Sequence, residues 1–193
     1  MGVRQLRKFA EFIVLSAVMV MAAARPGSAQ VVASGVRAVS LDATLDESVT
    51  LSLSANAVNF SLVPGRASNP GSTNITATTT WTLQPAFLRN ISVYAFFNNA
   101  STALTNGSGG NIPSSAFQIS DNGGGLQALT NTVPFGGAGA GRLLGQSTEF
   151  LFFNQRGSRT DTMSFNIDLS QGTLPSLPAG TYTGTLTIQV QVQ

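Results

Sequence analysis

The C-terminal segment, residues 179–193, alternates apolar with neutral polar side chains. Its apolar positions are Tyr182, Leu186, Ile188, Val190 and Val192, and from residue 181 onward the opposite parity holds only threonine and glutamine. Successive side chains of a strand point to opposite faces, so one face is predicted to lie on a core and the other in solvent. A strand also needs a hydrogen-bonded neighbour on at least one edge. The identity of that neighbour is therefore the main functional question that the sequence raises.

The N-terminus has the pattern of a secretory signal peptide. Arg4, Arg7 and Lys8 precede an apolar run over residues 12–24, and the small residues 27–29 precede a predicted cleavage before Gln30. The alternative is a membrane anchor, but the run is about thirteen residues and a span needs roughly 20. The sequence thus predicts a leader over residues 1–29, a single secreted domain over residues 30–193, and no membrane span after cleavage.

The composition of residues 30–193 argues against several classes of function. This part holds six arginines, no lysine and seven carboxylates, a net charge of −1, so it predicts no binding to nucleic acid or to anionic membranes. The chain contains neither cysteine nor histidine, which removes thiol nucleophiles, imidazole bases and the preferred ligands of zinc and copper. We therefore expect no enzyme, no catalytic or metal-ligating residues and no cofactor.

Alternating runs separated by Gly, Pro and Asn turns predict an all-β protein with eight to ten strands. The pattern favours an antiparallel Ig-like β-sandwich of Greek-key type, with a barrel as the alternative. Residues 156–160 are expected to form a turn. The predicted strands are residues 39–45, 49–53, 57–63, 74–83, 90–98, 117–120, 126–133, 149–154, 162–169 and the terminal segment.

Three other features allow more than one interpretation. Asp121 precedes Asn122 and three glycines, and a plain turn is favoured over a calcium loop because calcium usually takes more than one carboxylate. The glycine-rich residues 134–145 are expected to be mobile or tightly turned. Phe150, Phe152 and Phe153 are expected to be core residues on both faces of a strand, and an exposed contact patch is the alternative.

The end of the chain carries a resemblance to a known group. Residues 177–190 read Leu-Pro-Ala-Gly-Thr-Tyr-Thr-Gly-Thr-Leu-Thr-Ile-Gln-Val, which is similar to the last strand of spore coat protein U-type domains and of pilin-like subunits of chaperone–usher systems. The signal peptide, the early alternation over residues 39–53 and the Val-Asn-Phe segment at 58–60 agree with the same layout.

This resemblance implies an incomplete Ig-like sandwich. A periplasmic chaperone, and after it the arm of a neighbouring subunit, would add the missing strand by β-augmentation. The implied function is a secreted, pilin-like structural subunit of a bacterial surface fibre (fimbrium) or coat, acting in cell adhesion or biofilm. Its implied partners are the chaperone, the usher and other copies or related subunits.

Two questions stay open from the sequence. A self-contained extracellular module that binds carbohydrate or protein is the alternative function. Residues 39–53 are also a candidate neighbour for the terminal strand within the same chain. The residues predicted to form the partner-strand interface are Val39, Leu41, Leu45, Leu186, Ile188, Val190 and Val192.

Overall fold

The computed structural model describes residues 40–41, 43–153 and 155–193. The chain separates into two units, Met1–Ala43 and Thr44–Gln193. In the first unit the described residues are exposed and form no strand. The predicted signal peptide and Val39 lie outside the described residues. Within the described part of the chain, no helix is long and apolar enough to cross a membrane.

Nearly all regular structure in the second unit is β-strand. The two exceptions are short 3-10 helices at Ser114–Ala116 and Leu174–Ser176. The strands are β1 (Ser48–Leu53), β2 (Asn69–Pro70), β3 (Ile75–Thr82), β4 (Arg89–Phe96), β5 (Leu104–Thr105), β6 (Asn111–Ile112), β7 (Phe117–Asp121), β8 (Gln127–Ala128), β9 (Gly141–Glu149), β10 (Arg156–Ile167) and β11 (Thr187–Val192).

The strands form two main antiparallel sheets. The larger sheet has the order β1-β3-β10-β7-β8, with β2 also paired to β10, and the smaller has the order β11-β4-β9. Strands β5 and β6 pair separately. The prediction of an all-β antiparallel sandwich is confirmed.

One core joins the two sheets. Ile75 and Ala77 of β3, Val93 of β4 and Phe165 of β10 belong to the same buried cluster. Trp81, a predicted core residue, lies instead in a smaller cluster near one end of the sandwich. Burying each large apolar side chain contributes about 1.5–3 kcal/mol, so the alternation of these strands is enough to hold the sheets face to face.

The terminal strand is shorter than predicted. Hydrogen-bonded pairing with β4 begins at Thr187, whereas Thr183 forms an isolated bridge with Thr105. Gly184 passes against the backbone of Ala103, where a Cβ would overlap the carbonyl oxygen. The segment before β11 therefore packs on β5 rather than extending the strand.

The predicted strand at residues 149–154 is wrong. Strand β9 ends at Glu149, and residues 151–153 form a turn in which only Leu151 is buried. The glycine-rich segment before β9 is tightly turned and packs on β4, because Phe135 contacts Tyr94 and Phe96. The predicted turn at residues 156–160 is also wrong, since these residues begin β10.

Candidate functional site

Strand β11 lies at the edge of its sheet. Its single hydrogen-bonded neighbour among the described residues is β4. Gln193 and Asn90 exchange both backbone bonds, with N···O distances of 3.0 and 2.8 Å. Hydrogen-bonded and non-bonded pairs alternate along an antiparallel ladder. The backbone N–H and C=O groups of Ile188, Val190 and Val192 therefore point away from β4, towards the open edge.

Strand β1 is the matching edge of the larger sheet. Within the described part of the chain it pairs with β3 alone, and it approaches β11 without joining its sheet. Its inward parity is only partly covered, with Val49 38% and Leu53 41% exposed. Two unpaired edges, one from each sheet, thus flank the same side of the sandwich.

A groove of about 630 Å³, lined by apolar and neutral polar residues, opens beside these two edges. One wall is formed by residues after β1, including Val58, Phe60 and Leu62, and the other by residues 180–186 and Ile188. The floor is the main core itself, with Phe97, Phe117 and Phe165 among its lining residues. None of the described residues that line the groove is charged. The groove is suited to an apolar segment rather than to an ion or a charged ligand.

The partly buried apolar residues that pack on the main core are concentrated around this groove. They are Leu51, Ala55, Val58, Phe60, Leu62, Ala100, Leu177, Tyr182, Leu186, Ile188 and Val190. Every residue of β11 is only half-buried, whereas the inward residues of β3 are fully buried. The core residues on this side are buried, but the apolar residues that cover them remain half-exposed.

Tyr182 shows that the wall of the groove is held in place. Its hydroxyl group donates a hydrogen bond to the carbonyl oxygen of Pro178 at 2.8 Å and accepts a longer one from Asn106 Nδ2 at 3.4 Å. The ring of Tyr182 packs on the core and its hydroxyl group is hydrogen-bonded, so this wall of the groove is held in place.

The residues predicted for the partner-strand interface fall into three groups. Leu186, Ile188 and Val190 pack on the main core beside the groove, and Val190 and Val192 also contact the smaller cluster. Leu41 and Leu45 are outside any strand and are 88% and 65% exposed. Val39 lies outside the described residues.

The described residues of the segment 39–53 are not the hydrogen-bonded neighbour of the terminal strand. Strand β1 occupies only Ser48–Leu53 of this region and pairs with β3, while β4 fills the expected place beside β11. The sequence also failed to indicate that Val58, Phe60 and Leu62 form a wall of the groove. Their alternation predicted a strand. Apart from the isolated bridge of Phe60 to Gly71, however, these residues form no strand.

The segment after Asp121 is a turn. Asn122 has φ of 49° and Gly123 has φ of 76°, and the N–H of Gly124 donates to the carbonyl oxygen of Asp121 at 2.9 Å. Among the described residues, no three His, Cys, Asp or Glu side chains come together to hold a metal ion. Burial, and then the negative charge of Asp161, raise the pKa of Asp121 above its ordinary value.

The phenylalanines at 150–153 are not core residues on both faces. Phe152 is 54% and Phe153 83% exposed, and both rings lie 5.4 Å from that of Phe150. Phe87 joins them from the loop between β3 and β4, with its ring centroid 5.3 Å from that of Phe150. We call this surface, which comprises Phe87, Leu88, Phe150, Phe152 and Phe153, the aromatic end.

Comparison with known proteins does not assign the chain to a family. No family model matches the chain, and no curated protein is significantly similar to it.

Proposed function

We propose that the protein is a secreted, pilin-like structural subunit of a bacterial surface fibre or coat, which is completed by a strand from another chain. The observation that carries this proposal is the uncharged groove beside the two open edges, whose floor is formed by core residues of the domain. An Ig-like sandwich that lacks one strand would have this arrangement. Adhesion and biofilm formation are the roles that such a subunit would serve.

The incoming strand would form a ladder with β11. The outward N–H and C=O groups of Ile188, Val190 and Val192 supply alternating donors and acceptors, which give affinity in β-augmentation. Where this strand runs past Ile188, its apolar side chains would enter the groove and cover half-buried lining residues such as Val58, Phe60 and Leu186. The neutral lining suits this mode because no buried charge has to be compensated.

The N-terminal arm of a second copy has a suitable pattern for this strand. Val39, Leu41 and Leu45 alternate with polar residues, and the exposed positions of Leu41 and Leu45 leave them available to another chain. A periplasmic chaperone would cover the groove before assembly, and an usher would exchange it for the arm. This protection is needed because bare sheet edges pair indiscriminately and cause aggregation.

The test adds a synthetic peptide of residues 36–45 to the leaderless chain. We expect the peptide to raise the melting temperature and to slow amide exchange at Ile188, Val190 and Val192, because their N–H groups gain acceptors. Amides of Thr187, Gln189 and Gln191 should change less, since they already bond to β4. Thermal denaturation and residue-resolved hydrogen exchange by NMR measure the two effects.

A peptide in which Val39 and Leu41 are both replaced by Asp is the matched control. It keeps the backbone donors and acceptors but would bring charge into an apolar groove, so it should not bind. The proposal fails if the leaderless chain already protects all three outward amides as a monomer, or if both peptides have the same effect.

The self-contained binding module remains the second candidate because exposed aromatic rings are present. These rings lie in two loops and not on the face of a sheet. Binding of the well-folded, isolated chain to a glycan array would favour this candidate over the fibre subunit.

A further inference from the structure

The aromatic end is built from two neighbouring loops. One loop joins β3 to β4 and the other joins β9 to β10, and they meet because Arg89 and Glu149 are paired in the β4–β9 ladder. Phe87 is 70% and Leu88 53% exposed, in addition to the two exposed phenylalanines of the second loop. Four large apolar side chains thus project together from one end of the domain, which marks a contact surface.

These rings cannot withdraw into the core. Leu151 is fully buried against the smaller cluster with Trp81 and Ile91. Leu151 takes the inward position of this turn, which leaves Phe150 half-buried and Phe152 and Phe153 exposed. The anchoring of Leu151 therefore keeps the exposed rings out of the core.

The chain enters the domain at this same end. Glu47 accepts hydrogen bonds from Arg89 Nη1 at 2.7 Å and from the backbone N–H of Gln84 at 2.8 Å, at the base of the Phe87 loop. Whatever precedes Thr44 is therefore joined to the domain beside the aromatic end. The segment from residue 30 to residue 43 holds about 14 residues and reaches at most about 45 Å when fully extended.

The groove opens towards the opposite end. Gln193 and Ser48 lie at the aromatic end, whereas the groove is lined by Leu53 at the far end of β1, Ile188 at the far end of β11 and residues of the adjoining loops. The exposed Val63 also lies at that far end, since its N–H donates to Asn69, which pairs with the last residue of β10. An arm that leaves one copy at its aromatic end and enters the groove of another would bring unlike ends of the two copies together.

We propose that the aromatic end is a head-to-tail contact surface for a second copy of this chain, which buries the exposed phenylalanines against the groove-bearing end of the next subunit. This inference rests on the proposed function, because the arm sets which ends meet. The five side chains of the aromatic end offer no hydrogen-bonding group to a sugar. Of the two arginines at this end, Arg89 is paired with Glu47 and Arg156 is exposed, so binding of anionic liposomes is the competing outcome of the test.

The test compares self-association of the leaderless chain with that of the double variant Phe87→Ser, Phe153→Ser by sedimentation velocity. We expect association to weaken about tenfold or more, because central aromatic anchors dominate interface energies. Leu126→Ser is the matched control, since Leu126 is 46% exposed in a different part of the surface. It should leave association unchanged.

Orientation is tested with engineered cysteines, for which the chain provides no background because it has none. A mixture of Phe153→Cys and Val63→Cys copies, treated with a bismaleimide, should give mainly mixed dimers. Crosslinks mainly between two Phe153→Cys copies would indicate a head-to-head contact and would overturn the proposal.

The two proposals can fail separately. If the peptide of residues 36–45 binds but the double variant associates normally, the contact surface is wrong and strand complementation stands. If the peptide does not bind, strand complementation is wrong. A chain that stays monomeric at all concentrations, or whose phenylalanines bind liposomes or glycans instead, also contradicts the contact surface.

Discussion

Asp161 carries a charge in the interior of the sandwich. It is fully buried, and its Oδ1 accepts hydrogen bonds from Arg159 Nη2 at 2.7 Å, Arg159 Nε at 2.9 Å and Asn122 Nδ2 at 2.9 Å. Gly145 of the opposite sheet leaves room for this guanidinium group, which a Cβ would overlap. Such a pair contributes little net stability, yet removal of one partner leaves a buried charge without a partner and destabilises the fold. The absence of a side chain at 145 therefore serves the ion pair and not the flexibility of a glycine-rich loop.

Asp121 adds a second negative charge near this pair, and it gives a pH-dependent prediction. Its raised pKa means that the folded chain holds this proton more tightly than the unfolded chain does. Ionised Asp121 therefore lowers stability above its folded pKa, and this penalty disappears as pH falls to the ordinary value of 3.8. We expect Asp121→Asn to raise the free energy of unfolding at pH 7 by about 0.5 kcal/mol, because the site is partly screened by solvent.

Urea denaturation at pH 7 and at pH 3 measures this difference. The variant and the parent chain should be equally stable at pH 3, where both carry a neutral side chain at 121. Equal stability of the Asp121→Asn variant and the parent at pH 7 would contradict the prediction.

Glu47 provides the opposite case, since the Gln84 N–H and Arg89 lower its pKa. Its contribution to stability is present above pH 4.5 and is lost as pH falls through the lowered pKa.

At the scale of the element, β11 has two kinds of backbone amide. Those of Gln189 and Gln191 bond to β4, and those of Ile188 and Val190 face the open edge. Proline is tolerated in an edge strand where its missing N–H faces solvent, but it breaks a ladder where the N–H is bonded. The strand therefore permits a substitution that blocks partner addition without opening the sheet.

We expect Val190→Pro to keep the isolated domain folded and to weaken binding of the arm peptide at least tenfold. The neighbouring Gln191→Pro is the control, because it removes a bond to β4 and should lower stability by about 1–3 kcal/mol. Circular dichroism and isothermal titration with the peptide separate the two effects. Unchanged peptide binding by the folded Val190→Pro variant would show that the open edge of β11 is not the docking edge.

For the whole molecule, the proposal implies that a single added strand closes the domain. The C-terminal residue Gln193 lies at the aromatic end, so a short turn after it would let an appended segment run back along β11. Such a segment could cover the groove within one chain. Closure should convert an aggregation-prone subunit into a stable monomer.

We expect a fusion of a turn and a second copy of residues 36–45 after Gln193 to raise the melting temperature by about 10 °C. Each buried Val or Leu contributes about 1.5–3 kcal/mol before the cost of ordering the strand, and each net kcal/mol shifts a domain of this size by about 2–4 °C. Calorimetry and light scattering measure stability and mass. The same fusion with Asp at both appended apolar positions that correspond to Val39 and Leu41 should gain nothing, and an equal gain would refute groove filling.

The sequence by itself determined the fold class, the alternation of β3 and the apolar face of β11. These features depend on a period of two residues, which is local and is set by the backbone of a strand. The alternation in the sequence correctly predicted that Leu186, Ile188 and Val190 lie on one face, towards the core.

Only the tertiary structure decided which edges stay open. The partner of β11 is β4, about 95 residues earlier, and nothing in either segment specifies this pairing over one with residues 39–53. The wall formed by Val58, Phe60 and Leu62 and the outward turn of Phe152 and Phe153 likewise depend on contacts made elsewhere in the chain. Apolar character alone predicted burial for these residues, whereas the number of available neighbours determined which of them the core could cover.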